Sequence, residues 1–274
     1  MSGLQLKLIN PEIKAKIQSG VIKNLLQKKY AAATSHVLDI LCELCAAIPD
    51  NKRVSFGTVY TIQELSKHLF VSLTEADAEV YDVASVLFEK SADFKSKGVA
   101  LGILSLCGTE DYTRVLPFFE ASAVSPDWVM REFAQMFFRK IIQDKPNEAK
   151  EFLLENAVSK DANMRRFVAE TLRPVKENTW FYTHPDYPLS ILRLLFKESS
   201  PYPRTSVGNN LSDLARRRPE LVLGLVEELV SSGDRNSYWI AYRACRNLVK
   251  TQPARVMTLL RVDEYKYKQS VRRR

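Results

Sequence analysis

Three segments of the chain share a polar turn, a proline and then an apolar helical face, and this recurrence restricts the fold more than any other feature. They read QDKPNEAKEFLLE at Pro146, RRRPELVLGLVEE at Pro219 and KTQPARVMTLL at Pro253. Proline is favoured at the first position of a helix, because the N–H that it lacks would have no partner there. The spacing of the three prolines fits whole multiples of a unit of roughly 36 residues, with two units between the first pair and one between the last.

This period, with two helices in each unit, is typical of a HEAT-like solenoid, in which each pair buries its apolar face only against neighbouring pairs. Helical periodicity dominates the chain, which has only nine glycines, and strand-like alternation is limited to RVSFGTVYTI near residues 53–62. We predict an all-α fold, an α-α superhelix with a concave basic groove lined by the first helices of successive pairs. Helices are expected over 11–28, 33–48, 73–91, 94–106, 110–121, 127–142, 146–157, 162–172, 189–197, 204–216, 219–231, 236–250 and 253–261.

We expect residues 1–274 to form a single domain, with N-terminal helices over 1–120, groove-lining repeats over 121–262 and a basic tail over 263–274. The N-terminus lacks the apolar region of a signal peptide, and no stretch approaches the roughly 18 apolar residues of a membrane-spanning helix. The chain is therefore expected to be a cytoplasmic monomer without a membrane partner.

Cys42 and Cys45 form a C-x-x-C inside the helical run HVLDILCELCAAI, without a second cysteine pair. A zinc or redox site usually needs further ligands at defined spacing, so we interpret both as small core residues and expect no metal.

The positive charge is concentrated in the C-terminal part. Residues 160–274 hold 22 lysines and arginines against 12 acidic residues, whereas the remainder holds 18 against 20. A basic half on a soluble protein suggests a polyanionic partner, most often nucleic acid, although a merely solubilising surface is the alternative.

The first helices of successive pairs place acids beside arginines on their polar faces. The groups that share one face are Asp127 with Arg131; Arg166 and Arg173 with Glu170; and Asn209 and Arg217 with Asp213. One such group alone is usually a solvated ion pair worth under about 1 kcal/mol. Three acids on consecutive first helices, each flanked by arginine, are a less common pattern.

A groove for a polyanion normally excludes carboxylates, because each one repels phosphate and weakens the attraction. Carboxylates kept there favour a cationic target. A purine alkylated at N3 or N7 is such a target, since it carries formal positive charge and its glycosidic bond breaks through an oxocarbenium-like state that fixed carboxylates stabilise. Residue types and spacing alone thus indicate a basic helical solenoid that binds nucleic acid, with excision of alkylated purines as one option.

Residues 161–260 resemble the AlkC-type alkylpurine DNA glycosylases of the HEAT-like superfamily that also contains the AlkD type. The matching motifs are MRRFVAETLRP at 164–174, RTSVGNNLSDLARRRPELVLGLVE at 204–227 and WIAYRACRNLVK at 239–250. A weaker match, PDWVMREF at 126–133, precedes them. The resemblance implies a monofunctional glycosylase that removes cationic lesions of the 3-methyladenine type from double-stranded DNA without a cofactor.

Four catalytic residues are implied by the resemblance. Glu170 matches the acid of E-x-x-R-P, Asp213 matches the acid of N-N-L-x-D, and Asp127 takes the place of a glutamate. Trp180 matches the tryptophan that follows R-P and is expected to stack on the lesion or its deoxyribose. The implied DNA-binding residues are Arg131, Arg166, Arg173, Arg204, Asn209, Asn210, Arg243, Arg246 and Lys250.

Two alternatives stay open at the level of the sequence. Related HEAT-like proteins that lack glycosylase activity bind branched or damaged DNA, and this chain would then be a non-catalytic member. A solenoid whose basic face binds an acidic protein is the second alternative, and it predicts only weak, non-specific affinity for DNA.

Overall fold

The computed structural model of this chain describes residues 7–53 and 57–266, and every regular element within these two ranges is a helix. The all-α prediction is confirmed. The backbone divides into two compact units, residues 1–144 and 145–274. That the whole chain forms one domain with a concave groove stays a prediction.

The first unit is built from helices that pack side by side. Its α-helices are α1 (Pro11–Lys16), α2 (Lys23–Leu26), α3 (Tyr30–Ala46), α4 (Thr58–Glu75), α5 (Val80–Lys90), α6 (Phe94–Cys107), α7 (Tyr112–Ala123) and α8 (Trp128–Asp144). A π-helical turn, Ile17–Ile22, joins α1 to α2. In this unit α4, α6 and α8 pack in a row, while α5 and α7 pack against α6 and α7 packs against α8.

The second unit continues the same design. Its α-helices are α9 (Pro146–Ala157), α10 (Ala162–Thr171), α11 (Asp186–Leu192), α12 (Pro201–Leu214), α13 (Pro219–Ser231), α14 (Arg235–Leu248) and α15 (Pro253–Leu260). The helices α10, α12 and α14 pack in a row, which we call the first-helix row. The prediction of helices beginning at Pro146, Pro219 and Pro253 is confirmed.

An aspartate begins the first helix of most repeats and reveals the true period. Asp93, Asp127 and Asp161 recur at one constant interval, and each accepts a hydrogen bond from a backbone N–H in the first turn of α6, α8 or α10. Asp234 does the same for α14, at the same interval after Ser200, the N-cap of α12. Such caps satisfy N–H groups that have no partner within the helix.

One repeat is longer than the others, so the sequence-based estimate of equal units was wrong. The interval from Asp161 to Ser200 exceeds the interval between the other caps by five positions. The additional length lies between α10 and α11, where the chain forms an irregular 3₁₀ segment, Lys176–Tyr182.

The expected helices leave out residues 49–72, and this omission was wrong. The chain forms helix α4 from Thr58, and residues 54–56 lie outside the described ranges. Its buried positions include Ile62, Leu65, Leu69 and Leu73, at spacings of three and four. The alternation of valine, tyrosine and isoleucine is short, whereas the helical period continues to the end of α4. The single helix expected over 73–91 is also interrupted, because α4 ends at Glu75 and α5 begins at Val80.

No helix in the described ranges is long and apolar enough to span a lipid bilayer. Of the predicted basic tail, residues 263–266 are described, and residues 267–274 lie outside the described part of the chain.

The cysteines are free thiols in three different environments. Cys42 is exposed, which corrects its assignment to the core, and Cys45 is half-buried with its Sγ 3.4 Å from Thr61 Oγ1. Burial raises the pKa of the Cys107 thiol to about 11 and that of Cys245 to about 12. Among residues 7–53 and 57–266, no three His, Cys, Asp or Glu side chains are placed to share a metal ion.

We expect an aromatic disulfide reagent for thiols, applied at mildly alkaline pH, to label Cys42 rapidly in the native protein. Cys245 should react at least about 100-fold more slowly, because it is 0% exposed and reacts only as the thiolate. Mass spectrometry of the labelled peptides gives both rates, and denaturation in urea should equalise them. Similar rates for the two thiols in the native state would contradict the placement of α14.

Candidate functional site

Two acidic side chains of the first-helix row share one arginine. Glu170 lies near the C-terminal end of α10 and Asp213 near that of α12, and each side chain is only 7% exposed. Arg173 Nη1 donates to Glu170 Oε2 at 3.2 Å, while Arg173 Nε donates to Asp213 Oδ2 at 3.0 Å and its Nη2 donates to the same oxygen. We call Glu170, Arg173 and Asp213 the acid bridge.

The acid bridge holds two carboxylates and one guanidinium. Burial lowers the pKa of Arg173, but its attraction to Glu170 and Asp213 outweighs that effect, so the pKa lies above its ordinary value. Arg173 is therefore charged at every physiological pH. Arg216, on the turn after α12, approaches Asp213 Oδ1 at 3.3 Å with a side chain that is 61% exposed. Because the Arg216 side chain is solvated, its attraction to Asp213 is weak.

Asparagines and a glycine on α12 fix its position between α10 and α14. Asn210 is 1% exposed, and its Nδ2 donates to the main-chain oxygen of Ala169 at 3.0 Å. Asn209 Oδ1 accepts from Arg243 Nε at 2.9 Å. A Cβ at Gly208 would lie 2.8 Å from the Cβ of Arg243, so only glycine permits this approach of α12 to α14.

This arrangement gives Asn210 a different role from the predicted DNA contact. Its side chain has almost no surface to offer a ligand, and it instead ties α12 to the helix that carries Glu170. Asn209 is half-buried and orients Arg243, another of the predicted DNA-binding residues. The poor helix formers of α12 are thus explained by contacts with the neighbouring helices.

Hydrogen bonds tie the irregular segment Lys176–Tyr182 to the end of α10 and to the main chain of Asp213. Asn178 is 0% exposed and donates to the main-chain oxygen of Thr171 at 2.8 Å, at the end of α10. Tyr182 Oη donates to the main-chain oxygen of Asp213 at 3.4 Å. Burial and the negative charge of Asp213 raise the pKa of Tyr182, although nearby arginines oppose this.

Sequence reasoning missed Tyr182, an aromatic residue of this segment that contacts Asp213. The Arg217 guanidinium lies 4.9 Å from its ring centroid, and Arg218 Nη1 donates to its main-chain oxygen at 2.8 Å. Its position directly after Trp180-Phe181 in an aromatic run of an irregular loop was the signal available in the sequence.

Trp180 lies in an aromatic cluster of the same segment. Its ring centroid is 4.4 Å from that of Phe181, 5.0 Å from Tyr187 and 6.1 Å from His184. His184 Nδ1 lies 2.9 Å from Thr183 Oγ1 in the same loop. The described contacts join Trp180 to this cluster, and its role beside the acids stays a prediction.

Several predicted DNA-binding arginines lie over aromatic rings of the first-helix row. The Arg166 guanidinium is 4.4 Å from the Tyr202 ring centroid, and its side chain is buried. Arg204 and Arg243 lie 4.8 and 5.6 Å from the Trp239 ring centroid. Stacking of this kind fixes guanidinium groups in place while leaving their edges able to donate.

Two further residues predicted to bind DNA, Arg246 on α14 and Lys250 after it, differ in exposure. Arg246 is half-buried, whereas Lys250 is exposed and donates to Asn247 Oδ1 at 3.4 Å.

Asp127 and Arg131 belong to the first unit and have a repeated structural role. Asp127 Oδ1 accepts from Val129 N at 2.8 Å, and Arg131 Nη1 donates to the main-chain oxygens of residues 125 and 126 at 2.6 and 3.0 Å. In the next repeat, Asp161 and Arg165 make the same contacts with their own helix and preceding turn. Asp127 thus caps α8 and Arg131 binds the preceding turn, and their roles in catalysis and DNA binding stay predictions.

Comparison with known proteins agrees with the helical repeat. The family model described as DNA alkylation repair enzyme matches residues 43–248. The crystal structure of AlkD2 from Streptococcus mutans superposes with a TM-score of 0.56 and 17% identity, covering 77% of this chain and 97% of that one. The Pseudomonas fluorescens alkylpurine DNA glycosylase AlkC, bound to DNA containing an abasic site analogue, gives a TM-score of 0.54 and 21% identity, covering 91% of this chain and 63% of that one. These similarities confirm the predicted helical-repeat fold.

A similar protein of known sequence is the uncharacterized protein YhaZ of Bacillus subtilis (strain 168). It is 25% identical over 223 residues, which cover 77% of this chain and 59% of YhaZ. The match therefore spans less than two thirds of the length of that relative.

Replacing Arg173 by glutamine should lower the free energy of unfolding by about 2 kcal/mol, because two buried carboxylates would lose the guanidinium that they share. Adding Asp213→Asn should recover part of the loss, since it removes one of the two charges. Urea denaturation monitored by circular dichroism measures both. Arg193→Gln, which breaks an exposed pair with Glu228, is the matched control and should cost less than about 1 kcal/mol. Equal effects of the two arginine variants would refute the acid bridge.

Asp127→Ala should lower the free energy of unfolding by about 1 kcal/mol, whereas Asp127→Asn should be nearly neutral because asparagine is an equally good N-cap. The same two substitutions at Asp161 provide the comparison, and the two positions should respond alike. A stable Asp127→Ala variant beside a destabilised Asp161→Ala variant would show that Asp127 does not cap α8.

Proposed function

Because this chain belongs to the family of DNA alkylation repair enzymes, we propose that it is a monofunctional DNA glycosylase that excises cationic N3- and N7-alkylated purines from duplex DNA. The family assignment covers DNA alkylation repair, and the proposal adds the reaction and the kind of lesion. The observation that carries it is the acid bridge, with two buried carboxylates and one guanidinium.

The two carboxylates of the acid bridge favour a cationic ligand. Each side chain is only 7% exposed, and in such a position electrostatic attraction is stronger than in water. An alkylated purine brings one positive charge, and the sugar that remains after the base departs is an oxocarbenium ion. Glu170 and Asp213 are fixed by Arg173 before the ligand arrives, so no reorganisation is needed when that charge develops.

In the proposed reaction, the bond between C1′ of the deoxyribose and the purine nitrogen breaks with its electron pair going to the base. The alkylated purine thereby leaves as a neutral molecule. Water then adds to C1′, its proton passes to a carboxylate or to solvent, and an abasic site results. Glu170 and Asp213 stabilise the cation and orient the water.

DNA as the partner is supported by the basic composition of residues 160–274 and by the similarity to AlkC, which was solved bound to DNA. We propose that phosphates are bound by the partly exposed side chains of the first-helix row and the turn that follows it. These are Arg204, Asn209, Arg243, Arg246 and Lys250. Trp180 is proposed to stack on the lesion and Asp127 to assist the two acids.

Single-turnover assays on duplex DNA containing 3-methyladenine test the proposal. Wild-type protein should release the free base, and Glu170→Gln and Asp213→Asn should each slow release by about 10²-fold, the usual effect of removing one preorganised electrostatic group. Asp127→Asn retains the helix cap, so any loss of rate in that variant reports on its carboxylate alone.

Binding to the same DNA is the control, because the amide variants should bind at least as tightly as wild type when a repelling charge is removed. No release of 3-methyladenine by folded wild-type protein that binds the DNA would overturn the proposal. Undiminished release by both amide variants would overturn the roles of the two acids.

A non-catalytic protein that recognises branched or damaged DNA is the second candidate. Arg173 satisfies both carboxylates by direct hydrogen bonds, an arrangement that also suits a purely structural tie between α10 and α12. This candidate requires tight, salt-dependent DNA binding that survives both amide substitutions while no base is released.

A further inference from the structure

A cavity of about 500 Å³ lies at the C-terminal ends of α12 and α14, next to the acid bridge. It is formed by the turns that lead from these first helices into α13 and α15. Its lining residues are Ala215, Arg216, Pro219, Asn247, Leu248, Lys250, Thr251 and Gln252. The proposed catalytic residues lie outside this lining, although Arg216 reaches from it to Asp213.

The two basic residues of the cavity occupy the same position in consecutive repeats. The segment from Asp213 to Pro219 reads DLARRRP, and the segment from Asn247 to Pro253, one repeat later, reads NLVKTQP. Arg216 and Lys250 therefore correspond, each three positions after the side chain with which it interacts. The structure places both on the wall of the same cavity.

The partners of these two cations differ in charge. Arg216 pairs with the carboxylate of Asp213, whereas Lys250 donates to the neutral amide oxygen of Asn247. Glu220, at the start of α13, is already paired, because Arg255 Nη1 lies 2.7 Å from its carboxylate. In the contacts described for Arg216 and Lys250, these two positive charges are thus accompanied by one carboxylate, that of Asp213.

Hydrogen bonds from Asn247 fix the wall of the cavity that carries Lys250. Asn247 Nδ2 donates to the main-chain oxygen of Ser212 at 2.8 Å and contacts its hydroxyl at 3.1 Å. The turn after α14 is thereby tied to α12, so the spacing between Arg216 and Lys250 is set by the packing of the two helices. The helices α13 and α15 also begin at this cavity, and helix N-termini attract anions.

We propose that this cavity binds one phosphate of the DNA backbone, held jointly by Arg216 and Lys250. The inference rests on the proposed function, in that the partner is duplex DNA. Because Arg216 also contacts Asp213, the phosphate belongs to a nucleotide close to the one on which the acid bridge acts. The cavity is a backbone contact that positions the duplex and carries no preference for base sequence.

The salt dependence of binding to an unmodified duplex tests this inference. Each phosphate neutralised by a protein contributes about 0.9 to the slope of log K against log salt concentration. The double variant Arg216→Gln/Lys250→Gln should reduce the magnitude of this negative slope by about 0.9, which corresponds to one phosphate. Each single variant should reduce it by no more than that. Fluorescence anisotropy between about 50 and 200 mM salt, the range in which such slopes are measured, gives the values.

The control is Arg193→Gln/Lys197→Gln, which also removes one arginine and one lysine, at exposed positions between α11 and α12. It should leave the slope unchanged. An unchanged slope in the Arg216/Lys250 double variant would overturn the site, and so would a loss of about 1.8, since that value means two separate phosphates.

Unmodified DNA separates this test from the test of the glycosylase. If no 3-methyladenine is released but the slope falls as expected, the proposed reaction fails and the phosphate site stands. If the base is released and the slope does not fall, the site fails alone. Wild-type protein without any salt-dependent DNA binding would overturn both.

Discussion

The pairing of Arg173 with two buried carboxylates is the interaction on which the candidate site depends. Without this arginine, Glu170 and Asp213 would repel each other at the point where α10 and α12 meet. With it, hydrogen bonds from a single guanidinium hold both carboxylates in place. We propose that the same contact, which joins two helices, also forms a site suited to a cation.

The helical repeat positions Glu170 and Asp213 on neighbouring helices, and the longer repeat after α10 places the 3₁₀ segment beside them. N-cap aspartates at equal intervals keep successive first helices in register, and asparagines on α12 lock it between its neighbours. The additional length after α10 forms the 3₁₀ segment whose Tyr182 contacts Asp213. The regular array is a scaffold, and the proposed chemistry is concentrated where the array is broken.

The sequence predicted the fold class and the charged faces well for a physical reason, since helical periodicity, helix-starting prolines and i,i+3 charge spacing are local properties. It did not reveal that Arg173 bridges two helices, because Arg173 and Asp213 are 40 residues apart and their contact depends on tertiary packing. It also misread α4, where a short alternation of β-branched and aromatic side chains masked a longer helical period. Asn210 resembled a binding residue, although its amide is used by the fold, and burial cannot be read from a polar residue type alone.

The central claim is that the acid bridge recognises positive charge at the lesion nucleotide. It is tested most directly with two duplexes that carry abasic analogues of the same shape, a protonated pyrrolidine in one and a neutral tetrahydrofuran in the other. We expect wild-type protein to bind the cationic duplex about 10-fold more tightly, which corresponds to about 1.4 kcal/mol, and Glu170→Gln or Asp213→Asn to reduce that preference. Equal affinity of the folded wild-type protein for the two duplexes would contradict the account.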